Sequence, residues 1–94
     1  MNPYDLTGRL AVVTGVKRGI GFAVAEALAA AGADIVGLSA TLDPASSAIG
    51  DRVRRLGRDF SGHRVDFADR RQVTRFAEEL AAGERPVDIQ VNNA

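Results

Sequence analysis

Val12-Val13-Thr14-Gly15-Val16-Lys17-Arg18-Gly19-Ile20-Gly21 is the stretch on which the fold turns. A short apolar run, Leu10 to Val13, ends in three glycines spaced Gly-x-x-x-Gly-x-Gly, and an alanine-rich helical pattern begins directly behind them. Physically this is a strand, a tight turn and a helix N-terminus. Glycine tolerates the positive φ that such a turn requires and lets a ligand approach the backbone. The helix aims its free N–H groups and the positive end of its dipole at the turn, which suits a phosphate. A glycine-rich loop carries weight only in such a context, and here both flanking elements are present.

Outward from the loop, strand and helix patterns alternate along the chain. Residues 1–8 read as a lead-in, with Leu6-Thr7-Gly8 turning into a first strand, Arg9 to Val13, nearly all apolar as in a parallel strand covered on both faces. The first helix is expected from Gly19 to Ala31, with Ile20, Val24, Ala27, Leu28 and Ala31 as its apolar face and Gly32 as its stop. Ile35 to Leu38 reads as the second strand, left through Ser39-Ala40-Thr41-Leu42. Asp43-Pro44 is expected to open a second helix faced by Ala45, Ile49, Val53 and Leu56, weakened by Gly50 and stopped by Gly57. The third strand, Phe60 to Val65, carries Ser61, Gly62, His63 and Arg64 and suits a sheet edge. Asp69 and Gln72 resemble a capping box before a third helix faced by Val73, Phe76, Ala77, Leu80 and Ala81 and ending at Gly83. Pro86 precedes the fourth strand, Val87 to Val91.

Strict alternation of strand and helix implies an α/β fold, a doubly wound parallel sheet of the Rossmann type. Right-handed crossovers give the strand order 3-2-1-4, with the switch point between strands one and four. Ligands of such sheets bind at the carboxyl ends of the strands beside that switch, where both Gly15–Gly21 and Asn92–Ala94 are expected.

Composition narrows the function. The 94 residues make at most one small domain, with 12 basic and 12 acidic side chains, so no net charge steers the chain toward nucleic acid or a membrane surface. The arginines at 52, 54, 55, 58, 64, 70, 71 and 75 are interleaved with acids at 51, 59, 66, 69, 78 and 79, which reads as solvated helix faces. There is no cysteine, so disulfides and thiolate chemistry are excluded. The N-terminus lacks the basic and apolar regions of a signal peptide, and no apolar run approaches a membrane span. The expectation is a soluble, cytoplasmic protein. His63 is the only histidine and has no partner at metal-ligand spacing, so it reads as an exposed edge residue.

The loop spacing also separates phosphate-binding classes. A mononucleotide P-loop would close with Gly-Lys-Ser/Thr, whereas Gly19 is followed by Ile20-Gly21, and the Gly-x-Gly-x-x-Gly spacing is absent too. Thr14-Gly15-x-x-x-Gly19-x-Gly21 instead resembles the short-chain dehydrogenase/reductase family, and Val87-Asp88-Ile89-Gln90-Val91-Asn92-Asn93-Ala94 resembles that family's fourth strand running into Asn-Asn-Ala-Gly. The resemblance covers the chain from about Leu6 onward. Within the family, Gly32-Ala33-Asp34-Ile35-Val36-Gly37 resembles the sugar-acid dehydrogenases of the 2-deoxy-gluconate type and is close to the ketoacyl-carrier-protein reductases.

The resemblance implies a nicotinamide dinucleotide as ligand and an alcohol or ketone as the whole protein's substrate, with a homo-oligomer as the assembly. It implies that Gly15, Gly19, Ile20 and Gly21 wrap the pyrophosphate, with Thr14 bracing the turn; the alternative is a plain turn with close helix–strand packing. At the end of strand two, where NAD enzymes usually place an acid on the ribose, stands Ser39, and the family's alternative arginine is Ala40. Lys17 and Arg18 in the loop are candidates for a 2′-phosphate or else plain solvated charges, which leans the cofactor toward NADP over NAD. Asp66 and Phe67 match the pair that holds adenine, the carboxylate accepting and the Phe67 N–H donating; the alternative is an ordinary loop aspartate. Asn92, Asn93 and Ala94 would run beside the adenosine ribose, one asparagine tying strand four to its neighbour. Gln90 departs from the family's leucine, and a buried amide there would need a hydrogen bond.

The family's chemistry needs a serine and a Tyr-x-x-x-Lys pair, the lysine lowering the tyrosine pKa. The sole tyrosine, Tyr4, and sole lysine, Lys17, stand thirteen residues apart and lie upstream of or within the glycine loop. The catalytic set is therefore empty, and the 94 residues read as the partial, cofactor-binding half of a longer oxidoreductase, inactive alone. The alternative is a non-catalytic nucleotide-binding or vestigial product.

Overall fold

A computed structural model describes residues 5–93. Its elements are β1 (Leu10–Thr14), α1 (Gly19–Ala30), β2 (Asp34–Ser39), α2 (Ala48–Arg55), β3 (Phe60–Arg64), α3 (Arg70–Ala82) and β4 (Ile89–Val91). The strands form one parallel sheet in the order β3-β2-β1-β4, as the alternation implies. Val12 lies level with Val36 on one side and Gln90 on the other, and Val36 with Ser61 beyond it.

Alternation along β1 and β2 divides the core between the two faces. Ala11, Val13 and Ile35 meet α1 and α2 through Ala25, Ala29, Ile49 and Val53. Leu10, Val12, Val36 and Leu38 face α3, which covers them with Val73, Phe76 and Leu80. Right-handed crossovers on either side of β1 put α1 and α2 on one face and α3 on the other.

Several boundaries and faces differ from expectation. The buried stripe of α1 is Gly21, Ala25 and Ala29, whereas Ile20 is 72% exposed and Ala27 also faces outward. The helix is apolar nearly all round, so periodicity alone does not choose a face. Close approach to the sheet chooses the smallest side chains instead. Asp43 does not cap α2: its carboxylate accepts from the Ala45 N–H at 2.9 Å in a local turn. The helix opens at Ala48, where Ser47 Oγ accepts from the Gly50 N–H at 3.1 Å. Leu42 is buried, so residues 43–47 are needed to carry the chain from that anchor to the helix start.

On the other face Asp69 caps α3 by accepting from the Arg71 N–H at 3.0 Å, but Gln72 does not return a bond to Asp69 N–H, so the capping box is only half made. Ala77 and Ala81 are exposed rather than packed. β4 is shorter than expected because Val87 and Asp88 lie outside it, although the Asp88 N–H still donates to the Leu10 carbonyl at 2.9 Å. Gln90 is exposed, so no buried amide has to be satisfied there. His63 is half-buried against the Phe76 ring, 5.1 Å between centroids, rather than exposed.

The amino ends of the strands are tied by charge. Asp34 is buried and accepts from the Asp59 N–H at 3.0 Å, while Arg58 lies at 3.1 Å and Arg85 at 2.8 Å from its two oxygens. Burial pushes the Asp34 carboxyl up, but the Asp59 N–H, the Arg85 bond and the charges of Arg58 and Arg85 outweigh it and hold the group below the usual aspartate value. This network joins the starts of β2 and β3 to the segment that enters β4. Among the described residues no helix is long and apolar enough to cross a membrane.

Candidate functional site

The opposite rim of the sheet, at the carboxyl ends of the strands, carries every described candidate residue. β1 ends in Thr14, which is buried. Its Oγ1 accepts from the Asn93 N–H at 2.7 Å and lies 3.4 Å from the Val91 carbonyl. Thr14 therefore braces β4 rather than the turn itself. Gly15 follows at φ +63°, and a Cβ there would overlap the Asn93 carbonyl oxygen. A Cβ on Gly21 would overlap the Gly15 carbonyl and approach the Asn93 side-chain nitrogen at 2.8 Å. Gly15, Gly21 and Asn93 are thus stacked backbone on backbone, and only the absent side chains make that possible.

Gly19 has a different reason for being glycine. Its φ is +63°, but a Cβ would meet nothing within 4 Å, so the space beside it is open. Behind it α1 starts without a side-chain cap, its N-cap Arg18 being extended. The first N–H groups of that helix have no side-chain acceptor from the N-cap. The buried Val16 donates its N–H to the Leu38 carbonyl at 3.1 Å and so pins the loop to the end of β2.

Lys17 and Arg18, considered together in the sequence, part company in the structure. Lys17 Nζ donates to the Thr41 hydroxyl at 3.1 Å and lies 3.3 Å from the Thr41 carbonyl, spanning from the glycine loop to the loop after β2. It overlooks a hollow of about 320 Å³ shared with Asp43, Ser46 and Ser47. Arg18 is exposed and makes no ion pair among the described residues. Ser39 closes β2, its Oγ accepting from the Thr41 N–H at 3.3 Å.

Asp66 and Phe67 stand at the next corner, after β3. Asp66 Oδ1 accepts from the Ala68 N–H at 2.9 Å, leaving its second oxygen exposed, and Phe67 is 42% exposed. Phe67 overhangs an apolar hollow of about 230 Å³ between α3 and β4 that Val87 and Gln90 also line. Asn92 is exposed and Ala94 lies outside the described residues. The structure thus brings Thr14, Gly15, Gly21 and Asn93 into contact, while Lys17 with Ser39 and Asp66 with Phe67 form separate flanks. Thr41 and Gln72 are the two contributors that sequence reasoning passed over. A hydroxyl two residues beyond the strand-two end and a carboxamide on the first turn of α3 were their only signals. Among the described residues no cluster of three potential metal ligands occurs.

An open parallel sheet whose glycine turn and uncapped helix N-terminus meet at the switch point between β1 and β4 defines a Rossmann-type α/β domain. A model of the family described as short chain dehydrogenase matches residues 9–94, and the chain belongs to that family. It is 46% identical over its full length to a 2-dehydro-3-deoxy-D-gluconate 5-dehydrogenase of Pseudoalteromonas atlantica, of which it covers 37%. It is 41% identical, over 96% of its length, to the 3-oxoacyl-(acyl-carrier-protein) reductase FabG of Escherichia coli, covering 35% of that protein. Among solved structures, a protein of Beutenbergia cavernae described as an NAD(P)-dependent gluconate 5-dehydrogenase with bound NADP superimposes with a TM-score of 0.85 at 40% identity, over 99% of this chain and 36% of the other. The Pseudomonas aeruginosa RhlG/NADP complex gives 0.77 at 36% identity, over all of this chain and 38% of the other. The chain therefore spans little more than a third of the length of these relatives.

Proposed function

We propose that these residues are the cofactor-binding part of an NAD(P)-dependent short-chain oxidoreductase that moves hydride between nicotinamide and an alcohol or ketone. The observation that carries the reading is the stacking of Gly15, Gly21 and Asn93 beside an uncapped α1 N-terminus, with open space at Gly19. The site fits the cofactor: the N–H groups at Gly19, Ile20 and Gly21 would hold the pyrophosphate, and Asp66 with Phe67 would hold the adenine. Asn93 would border the ribose, with Ala94 beyond it. When bound, the nicotinamide supplies the hydride donor or acceptor. This chain's own residues bind and orient, and none supplies the proton, since Lys17 is engaged by Thr41 and no Tyr-x-x-x-Lys occurs among the 94 residues.

NADP is the favoured cofactor. The strand-two end offers Ser39 rather than a carboxylate, and the Lys17 cation reaches that end through Thr41, whose N–H donates to Ser39 Oγ. Lys17→Glu is expected to lower NADP affinity about tenfold relative to NAD, the scale of one lost charge-assisted bond at an exposed site. Calorimetry with both cofactors checks this, and equal losses for the two would remove Lys17 from the selection. The substrate class that the relatives' names support is a sugar acid, with an acyl thioester ketone as the competing class. We place the whole protein in the cytoplasm as a homo-oligomer, and a monomeric mass by light scattering would remove the second part.

The 94 residues alone are expected to bind dinucleotide weakly and to show no nicotinamide turnover with any ketone or alcohol. Sub-micromolar affinity, or measurable oxidation of NADPH by the isolated chain, would overturn that. The second reading is a nucleotide-binding product without catalysis. Absence of turnover in the complete product of the native gene would establish it.

A further inference from the structure

We propose that Gln72 is a positioning residue for the adenine end of the cofactor, acting through the Asp66–Phe67 loop; the inference rests on the cofactor reading above. Residues 66–68 are all exposed, so no buried side chain anchors that loop between Val65 and α3. The tether is a carboxamide on the first turn of α3. Gln72 Oε1 accepts from the Asp66 N–H at 2.9 Å, and Gln72 Nε2 donates to Asp69 Oδ2 at 3.2 Å. The two bonds fix the amide's orientation, because an N–H can meet only the oxygen and a carboxylate only the amino group.

Local turns complete the frame. Asp69 N–H donates to the Asp66 carbonyl at 3.0 Å, and Asp66 Oδ1 accepts from Ala68 N–H at 2.9 Å. Asp66 Oδ2 and the Phe67 N–H then make no hydrogen bond among the described residues. They are one acceptor and one donor on adjacent residues, the pair that a heterocycle with an exocyclic amine beside a ring nitrogen presents in reverse. Gln72 does not touch such a ligand. It holds the Val65–Asp66 peptide plane, while the Asp69 N–H on the Asp66 carbonyl holds the next plane, which carries the Phe67 N–H; Gln72 thus anchors one side of Asp66 and ties Asp69 on the other.

The test is a titration of the chain by nitrogen–proton NMR with adenosine 5′-monophosphate, using nicotinamide mononucleotide as a control without adenine. Adenosine monophosphate is expected to move the Asp66 and Phe67 amide signals of the unaltered chain. Gln72→Ala is expected to weaken that binding about fivefold, the effect of one lost oriented hydrogen bond, and to leave the control ligand and the sheet signals unchanged. Gln72→Glu keeps the acceptor but sets a carboxylate against Asp69. Its binding is expected to be as weak as in the alanine variant near neutral pH and to recover as pH falls, when a shared proton restores the donor. A purely structural role would give no such recovery. If Phe67 responds in the unaltered chain but both variants bind adenosine monophosphate equally well, the role of Gln72 is overturned alone. If Phe67 does not respond in the unaltered chain, the adenine reading of the loop fails and this inference with it.

Discussion

Gly15→Ala is expected to destabilise this chain by about 2–4 kcal/mol and to abolish dinucleotide binding, while Gly19→Ala costs only about 1 kcal/mol. Both glycines sit at φ +63°, so the conformational penalty is the same at each. The difference is space. A Cβ at Gly15 overlaps the backbone of Asn93, and backbone has no rotamer through which to withdraw. The end of β4 would have to move, breaking the 2.7 Å bond from Asn93 N–H to Thr14 Oγ1. That adds about 1 kcal/mol of lost hydrogen bonding, and more where Thr14 is left buried without its partner. At Gly19 the added methyl enters open space. Urea unfolding of the two variants checks the contrast, and equal losses would show that packing against Asn93 does not matter. Binding should respond differently: Gly19→Ala, though well folded, would put a methyl where the phosphate is proposed to sit.

The second large effect belongs to the other end of the sheet. Asp34→Ala is expected to cost about 2–3 kcal/mol, since it leaves the Asp59 N–H, Arg58 and Arg85 facing a site without an acceptor. The figure is below that for a fully buried triad, because Arg85 and Arg58 keep 43% and 25% of their side-chain surface in water. The pH dependence has a definite sign. Asp34 titrates below its unfolded value of about 3.9. Its contribution is therefore complete above that value and is lost as pH falls through the lower folded value. Thermal melts should show an acid limb of declining stability that flattens in Asp34→Asn, which cannot titrate. An identical acid limb in the variant would place the effect on other carboxylates.

Almost everything that depends on short-range chemistry was legible in the chain. The parallel sheet and its 3-2-1-4 order followed from unbroken strand–helix alternation and the handedness of crossovers. The loop at Gly15–Gly21 was legible because strand, glycines and helix lie consecutively, so their spacing in sequence is their spacing in space. α1 was harder. Its alanines read as helix without difficulty, but a helix apolar nearly all round does not say which stripe is buried. Close approach to the Gly15 turn selected Gly21, close packing on the sheet selected Ala25 and Ala29, and Ile20 was left outside.

Capping was ambiguous for a related reason. Asp43 and Ser47 are both good caps, and the burial of Leu42 ahead and Ile49 behind decided between them. The Asp34 network was invisible because its members come from positions 34, 58, 59 and 85, and no local pattern links charges that far apart. The same holds for Lys17 on Thr41 and for Gln72 on Asp66, where a side chain on one element meets a loop of another. The sequence by itself determined the elements, their order and the glycine turn, since each rests on contacts within a few residues. Tertiary structure alone decided which face of α1 is buried, where Thr14 and Lys17 direct their bonds, and how a buried carboxylate is neutralised. Those depend on close packing and hydrogen-bond directions that exist only once the strands lie side by side.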